Sequence, residues 1–457
     1  GVFLPYTPLH HLLFAGGKFL ALVMTSGNLS EEPLAIDNQE AVERLSGLAD
    51  FFLVHNRDIL RRADDSVVRA SGGRVRQLRR SRGYVPVPIF LNEDLPRVLA
   101  VGGELKNTIC LTKGRHAFLS PHIGDLENLE SHRFFAEVVE HLERVLEIEP
   151  EIIAYDLHPD YFSTRWALAQ RDIERIGVQH HHAHVASCMA ENHLEGKVLG
   201  IALDGTGYGT DGNIWGGEVL LADYASFQRA AHFSYVRMPG GAAAIHEPWR
   251  MAVSYLFQHF GRDFWNLPID LVKQLDRRRT ETLLTMVERG VNSPLTSSCG
   301  RLFDAVAALA GIRRQVTYEA QAAIELEAAM APASDDSGYP LELAPDGAGW
   351  LIDTKPMFEA LVADLVRGEN ARLISRRFHN GLIEVFLRVT KLLRERTRLA
   401  RICLSGGTFQ NVYLQEGLVA RLAAAGFEVF THSEAPAGDG GLSLGQALVA
   451  AQGVGTK

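Results

Sequence analysis

The 457-residue sequence predicts an α/β protein of two units, the second of them internally duplicated, and three observations carry that reading. From residue 97 onward, buried-strand patterns alternate with helical periods. A strand, a glycine-rich turn and a second strand occur at residues 97–112 and again at 197–221, and a device used twice is the mark of duplication. Before residue 97 the pattern is shorter and more basic, and a segment at 87–96 containing proline and acidic residues reads as a linker between units 1–92 and 93–457. Composition narrows the function classes. The net charge of −9, with both signs interspersed, provides no basic field for nucleic acid and no polybasic patch for a membrane. No apolar run has the length of a membrane span. The four cysteines (Cys110, Cys188, Cys299, Cys403) lack Cys-x-x-Cys spacing, which argues against a zinc ribbon or a disulfide framework and fits a reducing cytoplasm. The chain opens on Gly1, and Val2-Phe3-Leu4-Pro5 reads as the interior of a longer sequence.

In the first unit a buried strand is expected over 19–24. It leads into Thr25-Ser26-Gly27-Asn28-Leu29-Ser30, a turn whose donors suit a phosphate or carboxylate and which is equally readable as a plain loop with Ser30 as N-cap. A helix over 38–48 and a strand over 51–54 follow. The arginine-rich stretch 61–82 ends in Ser81-Arg82-Gly83-Tyr84, a group suited to a nucleotide phosphate and base. In the second unit, strand 97–101 delivers Gly102-Gly103-Glu104-Leu105-Lys106-Asn107, and two further strands are expected at 109–112 and 116–119. A helix over 128–148, a strand over 152–156 and a helix over 161–175 come next. Strand 197–203 carries Asp204-Gly205-Thr206-Gly207-Tyr208-Gly209-Thr210-Asp211-Gly212, whose glycines permit close approach of phosphates and whose aspartates can hold a cation or its water shell. After strand 214–221 and a helix over 247–260, the residues Arg301, Asp304, Glu319 and Gln321 are polar among apolar neighbours and form either a ligand pocket or a buried salt-bridge set. Strand 401–404 runs into Ser405-Gly406-Gly407-Thr408-Phe409-Gln410-Asn411, where a helix can start against a ligand. Strand 427–430, then Asp439 between glycines, precede a final Ala-rich helix.

The densest chemistry is Gln179-His180-His181-His182-Ala183-His184, four histidines at the junction of a strand with a helix. His180 and His184 are four apart, so they share a helix face and can grip one metal ion, with Asp439 as the third ligand. Two imidazoles and a carboxylate suit zinc and iron alike.

These strings together resemble known families. The second unit is similar to the actin, sugar-kinase and heat-shock ATPase superfamily (ASKHA), and His180, His184 and Asp439 resemble the metal site of its TsaD-type members. Thr25-Ser26-Gly27-Asn28 and Ser81-Arg82-Gly83-Tyr84 resemble the C-terminal part of a YrdC-like domain. The order of the two, with Pro5-Tyr6-Thr7-Pro8-Leu9-His10-His11-Leu12-Leu13 and Tyr155-Asp156-Leu157-His158-Pro159-Asp160-Tyr161, resembles the HypF carbamoyltransferases of hydrogenase maturation along essentially the whole chain.

The resemblance implies a truncated YrdC-like α/β domain followed by a duplicated ASKHA-like domain. It implies ATP with Mg2+ and one bound transition metal as cofactors, carbamoyl phosphate and carbamoyl adenylate as substrates, and the C-terminal cysteine of HypE as acceptor, the carbamoyl group becoming a hydrogenase cyanide ligand. Nucleotide contacts are expected from Ser26, Asn28, Ser81, Arg82, Tyr84, Gly102, Gly103, Lys106, Asn107, Asp204, Gly205, Thr206, Gly207, Gly406, Gly407 and Asn411. The acylphosphatase domain, the zinc-finger motifs and the front half of the YrdC-like domain do not occur in this sequence, so the transfer half of the reaction is the half expected of it. Rival readings are an O-carbamoyltransferase acting on a small hydroxylated acceptor and a nucleotide-binding regulatory module without turnover.

Overall fold

The computed structural model describes residues 1–29, 32–330 and 336–453, so Ser30, the alternative N-cap, lies outside the described residues. Sixteen strands occur among them: β1 (Val67–Ser71), β2 (Arg74–Arg79), β3 (Ile89–Leu95), β4 (Val98–Ala100), β5 (Cys110–Leu119), β6 (Ile152–Asp156), β7 (Glu174–Val178), β8 (Val198–Tyr208), β9 (Ile214–Ala222), β10 (Phe227–Phe233), β11 (Val236–Arg237), β12 (Leu295–Thr296), β13 (Glu342–Asp346), β14 (Gly349–Asp353), β15 (Arg401–Ser405) and β16 (Glu428–Phe430).

The expected duplication is visible in the sheets. One lobe orders its strands β3-β5-β4-β6-β7, the other β13-β14-β10-β9-β8-β15-β16. In each, an antiparallel hairpin (β4–β5, β8–β9) is extended by two parallel strands (β6 and β7, β15 and β16). The helix that follows each last parallel strand, His180–Glu191 after β7 and Leu442–Gly453 after β16, packs against its counterpart. Both helices are Ala-rich and almost wholly buried. Contact is so close that a Cβ on Gly445 would meet the Ala183 carbonyl oxygen at 1.8 Å. The sequence can place a helix on a helix this tightly only with glycine at the crossing.

Five sequence expectations change. Residues 19–24 and 51–54 form no strand: Leu20, Val23 and Phe51 are exposed, and among the described residues no neighbouring strand takes up their N–H and C=O groups. The segment read as a linker is instead β3, in which Ile89 and Leu91 face the core and Phe90 faces out, and it pairs with β5 around an irregularity in register. Residues 109–119 make one long strand, β5, rather than two. The helix expected over 161–175 stops at Ala169; Asp172 turns the chain with φ 59°, and β7 begins two residues later.

The arginine-rich stretch of the first unit contains the β1–β2 hairpin, which docks on the second lobe. Arg69 Nη1 donates to the Gln410 carbonyl (3.3 Å), Arg76 Nη1 to that of His432 (3.3 Å), and Glu416 accepts from Ser71 Oγ (2.9 Å) and Gly72 N (2.8 Å). Between this unit and the lobes lies a cavity of about 400 Å³.

Gly445→Ala is expected to force the two central helices apart and to lower stability by about 1–3 kcal/mol. Thermal unfolding checks this, and an unchanged Tm would contradict the close crossing.

Candidate metal centre

The histidine helix starts where it does because Gln179 caps it, its Oε1 accepting from the His182 N–H at 2.9 Å. That places His180 and His184 on one face, fully buried, and sends the other two elsewhere: His182 Nε2 bonds the Asp223 carbonyl (2.6 Å) and His181 Nδ1 lies 3.2 Å from Gln179 Nε2. A Cβ on Gly207 would meet His181 Cε1 at 2.4 Å and His180 Cδ2 at 2.7 Å, so glycine there makes room for the imidazoles.

Three carboxylates converge on the pair. Asp204, at the bulge in β8, places Oδ2 3.2 Å from His180 Nε2 and 3.1 Å from His184 Nε2. Asp439, on the loop before the last helix, places Oδ1 3.8 Å and 3.6 Å from the same two nitrogens. Asp156, at the end of β6, sits 2.8 Å from His180 Nδ1 and is itself fixed by the His158 N–H at 2.9 Å. Burial works to strip His180 of its proton, but Asp156, Asp204 and Asp439 outweigh it and hold the imidazole well above its ordinary range. His184 is likewise raised against its burial, through Asp204 and Asp439. Burial raises Asp204, yet the two imidazoles hold it well below the usual carboxylate range.

His180, His184, Asp204 and Asp439 each offer one ligand atom, all within 4.8 Å of one another. Ligand atoms about a tetrahedral ion with bonds of roughly 2.1 Å stand about 3.4 Å apart, so the Nε2–carboxylate separations of 3.1–3.8 Å fit one cation. Asp204, expected to touch nucleotide, joins the expected ligands as a fourth donor. Asp156 was not singled out; it lies inside the Tyr155–Tyr161 string, and a carboxylate on the far ring nitrogen of a ligating histidine fixes its tautomer.

The nucleotide candidates divide. Gly407 N donates to Asp204 Oδ1 (3.0 Å), which ties the Ser-Gly-Gly loop to the cluster. At Gly205 an added Cβ would meet nothing within 4 Å, leaving that face of the strand open, with Thr206 half-buried beside it. Ser26, Asn28 and Lys106 line the cavity between the units, together with Arg80, His122 and Glu319. Burial, aided by Arg79 and Lys106, pushes the His122 imidazole down to about 3, so it stands neutral there.

Other candidates have partners within the fold. Asn107 is fully buried and its amide donates to the Val101 and Gly103 carbonyls, pinning the first glycine turn. The Gly102 N–H donates to Gln446 Oε1 (2.8 Å), and a Cβ on Gly103 would meet Leu442 Cδ2 at 3.3 Å. A Cβ on Gly406 would meet the Leu203 carbonyl oxygen at 2.2 Å. Asn411 caps the next helix through Leu414 N (2.9 Å) and bonds His379. Ser81 is buried with its N–H on Ser66 Oγ, Tyr84 N donates to the Ser81 carbonyl, and Arg82 bonds Tyr6 Oη (2.5 Å) and the Ala63 carbonyl (2.7 Å), so this turn holds itself together outside the cavity lining. Arg301 and Asp304 form a buried ion pair (2.7 Å), Gln321 accepts from Thr317 N (2.8 Å), and Glu319 pairs with Lys106 at the cavity. The salt-bridge alternative thus describes Arg301 and Asp304.

The fold and this cluster define a class: a YrdC-like segment followed by a two-lobed Kae1-like domain of the ASKHA type, with a largely buried His/His/Asp/Asp cluster. Three family models match, described as "Carbamoyltransferase, Kae1-like Domain, second subdomain" over residues 200–446, "HypF Kae1-like domain" over 93–191, and "Telomere recombination" over 1–81. The chain belongs to the HypF carbamoyltransferase family. It is 41% identical to carbamoyltransferase HypF2 of Cupriavidus necator, covering 99% of this chain and 60% of that protein, and 43% identical to HypF of Rhizobium leguminosarum bv. viciae, covering 99% and 59%. A full-length HypF solved in a phosphate- and nucleotide-bound form superimposes with a TM-score of 0.93 at 44% identity over 98% of this chain and 70% of that one; HypF of T. kodakarensis gives 0.90 at 34% identity over 99% and 60%. The chain thus spans about 60% of the length of these two curated relatives. No helix among the described residues is long and apolar enough to cross a membrane.

Arg301→Ala strands the buried Asp304 carboxylate, whose burial already raises it despite Arg301. A loss of about 3–5 kcal/mol in urea unfolding is expected. A variant of wild-type stability with impaired ligand binding would restore the pocket reading.

Proposed function

We propose that this chain carries the transfer step of a HypF carbamoyltransferase, passing a carbamoyl group from carbamoyl adenylate, made from carbamoyl phosphate and ATP with Mg2+, to the C-terminal cysteine of HypE. The observation that carries this reading is the juxtaposition of the His180/His184/Asp204/Asp439 cluster with the Gly407 loop, in a chain of this family. In the step, the acceptor thiolate attacks the carbamoyl carbon, a C–S bond forms, the C–O bond to the phosphate breaks, and AMP leaves with the electron pair.

His180, His184, Asp204 and Asp439 would hold a transition metal, zinc or iron, which would supply positive charge against the charge that develops on the leaving phosphate. The rest falls to the protein's own groups. Gly407 N–H and Asp204 fix the Ser-Gly-Gly loop relative to the cluster, and Asp156 keeps His180 in the orientation that turns Nε2 toward it. The open face at Gly205 and Thr206 is where we place the nucleotide phosphates. Ser26, Asn28 and Lys106 suit the anionic adenylate at the cavity between the units.

The chain's own thiols support an external nucleophile. All four cysteines are buried. Burial pushes the Cys110 thiol up to about 12 and raises Cys188 and Cys299 as well, so none of these three presents a thiolate.

His180→Ala with His184→Ala is expected to remove bound metal and transfer activity together. Metal content of the purified protein and the mass of HypE incubated with synthetic carbamoyl adenylate check both. Full metal content in the double variant would refute the centre. Carbamoylation of a small hydroxylated acceptor but not of HypE would favour an O-carbamoyltransferase, and nucleotide binding without transfer to any acceptor a regulatory module.

A further inference from the structure

Asp439 reaches the metal cluster on an irregular loop, not on a strand or a long helix, and something must hold that loop before an ion arrives. The fold supplies the hold from the histidine helix itself. Glu191, its last residue, is buried, with a side chain only 2% exposed. Its Oε1 accepts from Ser433 N (2.7 Å), and its Oε2 accepts from Glu434 N (3.0 Å) and Ala435 N (2.7 Å). Three successive backbone N–H groups therefore close on one carboxylate, four residues before Asp439. Ser187, one turn earlier on the same helix, donates from Oγ to the Gly441 carbonyl (2.8 Å), two residues after Asp439. One rigid helix thus carries His180 and His184 near its start and grips the Asp439 loop on both sides of the ligand.

A carboxylate at a helix C-terminus opposes the helix dipole, and burying it adds a desolvation cost. Three charge-assisted hydrogen bonds offset both. The arrangement also reaches the nucleotide loop, because His432, whose Nδ1 lies 3.6 Å from Glu191 Oε1, meets Ser405 Oγ at 2.8 Å through Nε2.

We propose that Glu191, assisted by Ser187, is the positioning residue of the metal centre: it locks the 433–441 loop to the histidine helix, so that Asp439 stands at ligating distance in the metal-free protein. The inference rests on the metal reading given above. It concerns how the site is preset rather than which groups ligate.

The test uses the full chain stripped of metal and titrated with Zn2+ against a competing chelator, beside amide hydrogen exchange of the metal-free protein. In the wild type, the amides of Ser433, Glu434 and Ala435 are expected to exchange slowly. Glu191→Gln keeps the size of the side chain but turns an NH2 toward donors, and should speed exchange of those amides and weaken zinc binding about tenfold or more, the range found when a ligand's supporting partner is lost. Ser187→Ala removes one hydrogen bond and no charge, folds more safely, and should weaken zinc several-fold. His180→Ala serves as the reference for a lost ligand. A wild-type chain that binds no zinc would overturn the metal reading itself. Zinc affinity unchanged in Ser187→Ala and in folded Glu191→Gln, with wild-type zinc binding intact, would overturn the positioning role alone, as would fast exchange of residues 433–435 in the metal-free wild type.

Discussion

Everything at the centre of this molecule depends on two imidazoles buried among three carboxylates. Removing charged and polar groups from water is costly unless each finds a partner, and here His180 and His184 find Asp156, Asp204 and Asp439. Each partner comes from a different element: the end of β6, the bulge of β8, and the loop entering the last helix. The cluster therefore stands only if both lobes are folded and the loop is in place. In return it joins the lobes at one point, which is where a cation and a phosphate would need to meet. The pairing raises the two imidazoles and lowers the Asp204 carboxylate, and a cation would displace the protons so held.

The duplication makes such a point available. Each half ends in a helix that follows its last parallel strand, and the two helices lie back to back along the junction. Gly445 permits that contact against Ala183, and the His180–Glu191 helix uses its other surfaces for the cluster and for β8, where a Cβ on Gly200 would meet Val185 Cγ2 at 2.3 Å. The first unit completes the surroundings through its β1–β2 hairpin. By binding Gln410, Glu416 and His432, it is fastened to the segments that flank the Ser-Gly-Gly turn and Asp439.

Much of this was legible in the sequence, for physical reasons. The strand patterns of β6, β8, β9 and β15 were plain because buried strands are apolar on both faces, and the histidine junction was plain because a polar cap follows an apolar strand. The His180, His184, Asp439 grouping was readable from helical spacing and the glycine-flanked aspartate, and the structure brings those residues together with Asp204. What was not legible depended on tertiary direction. That the missing Cβ atoms at Gly207 and Gly406 make room for imidazoles and for a neighbouring carbonyl cannot be read in one dimension. The partners of Asn107, Asn411 and Arg301 lie elsewhere in the chain, where sequence spacing does not show them. Apolar runs at 19–24 and 51–54 look like strands, but a strand also needs a neighbour, which no periodicity reveals. Glu191 gave no signal at all, since an acidic residue at the end of a helix reads as solvent-exposed.

One ion is expected to bridge the two lobes through ligands from the histidine helix, β8 and the last loop. Anomalous diffraction from crystals of this chain loaded with zinc measures it most directly. A single dominant peak is expected, bonded to His180 Nε2, His184 Nε2 and Asp439, with Asp204 alongside, at nitrogen distances of about 2.0–2.1 Å. A loaded crystal with no peak between those four residues, or with its strongest peak on another part of the molecule, would contradict it.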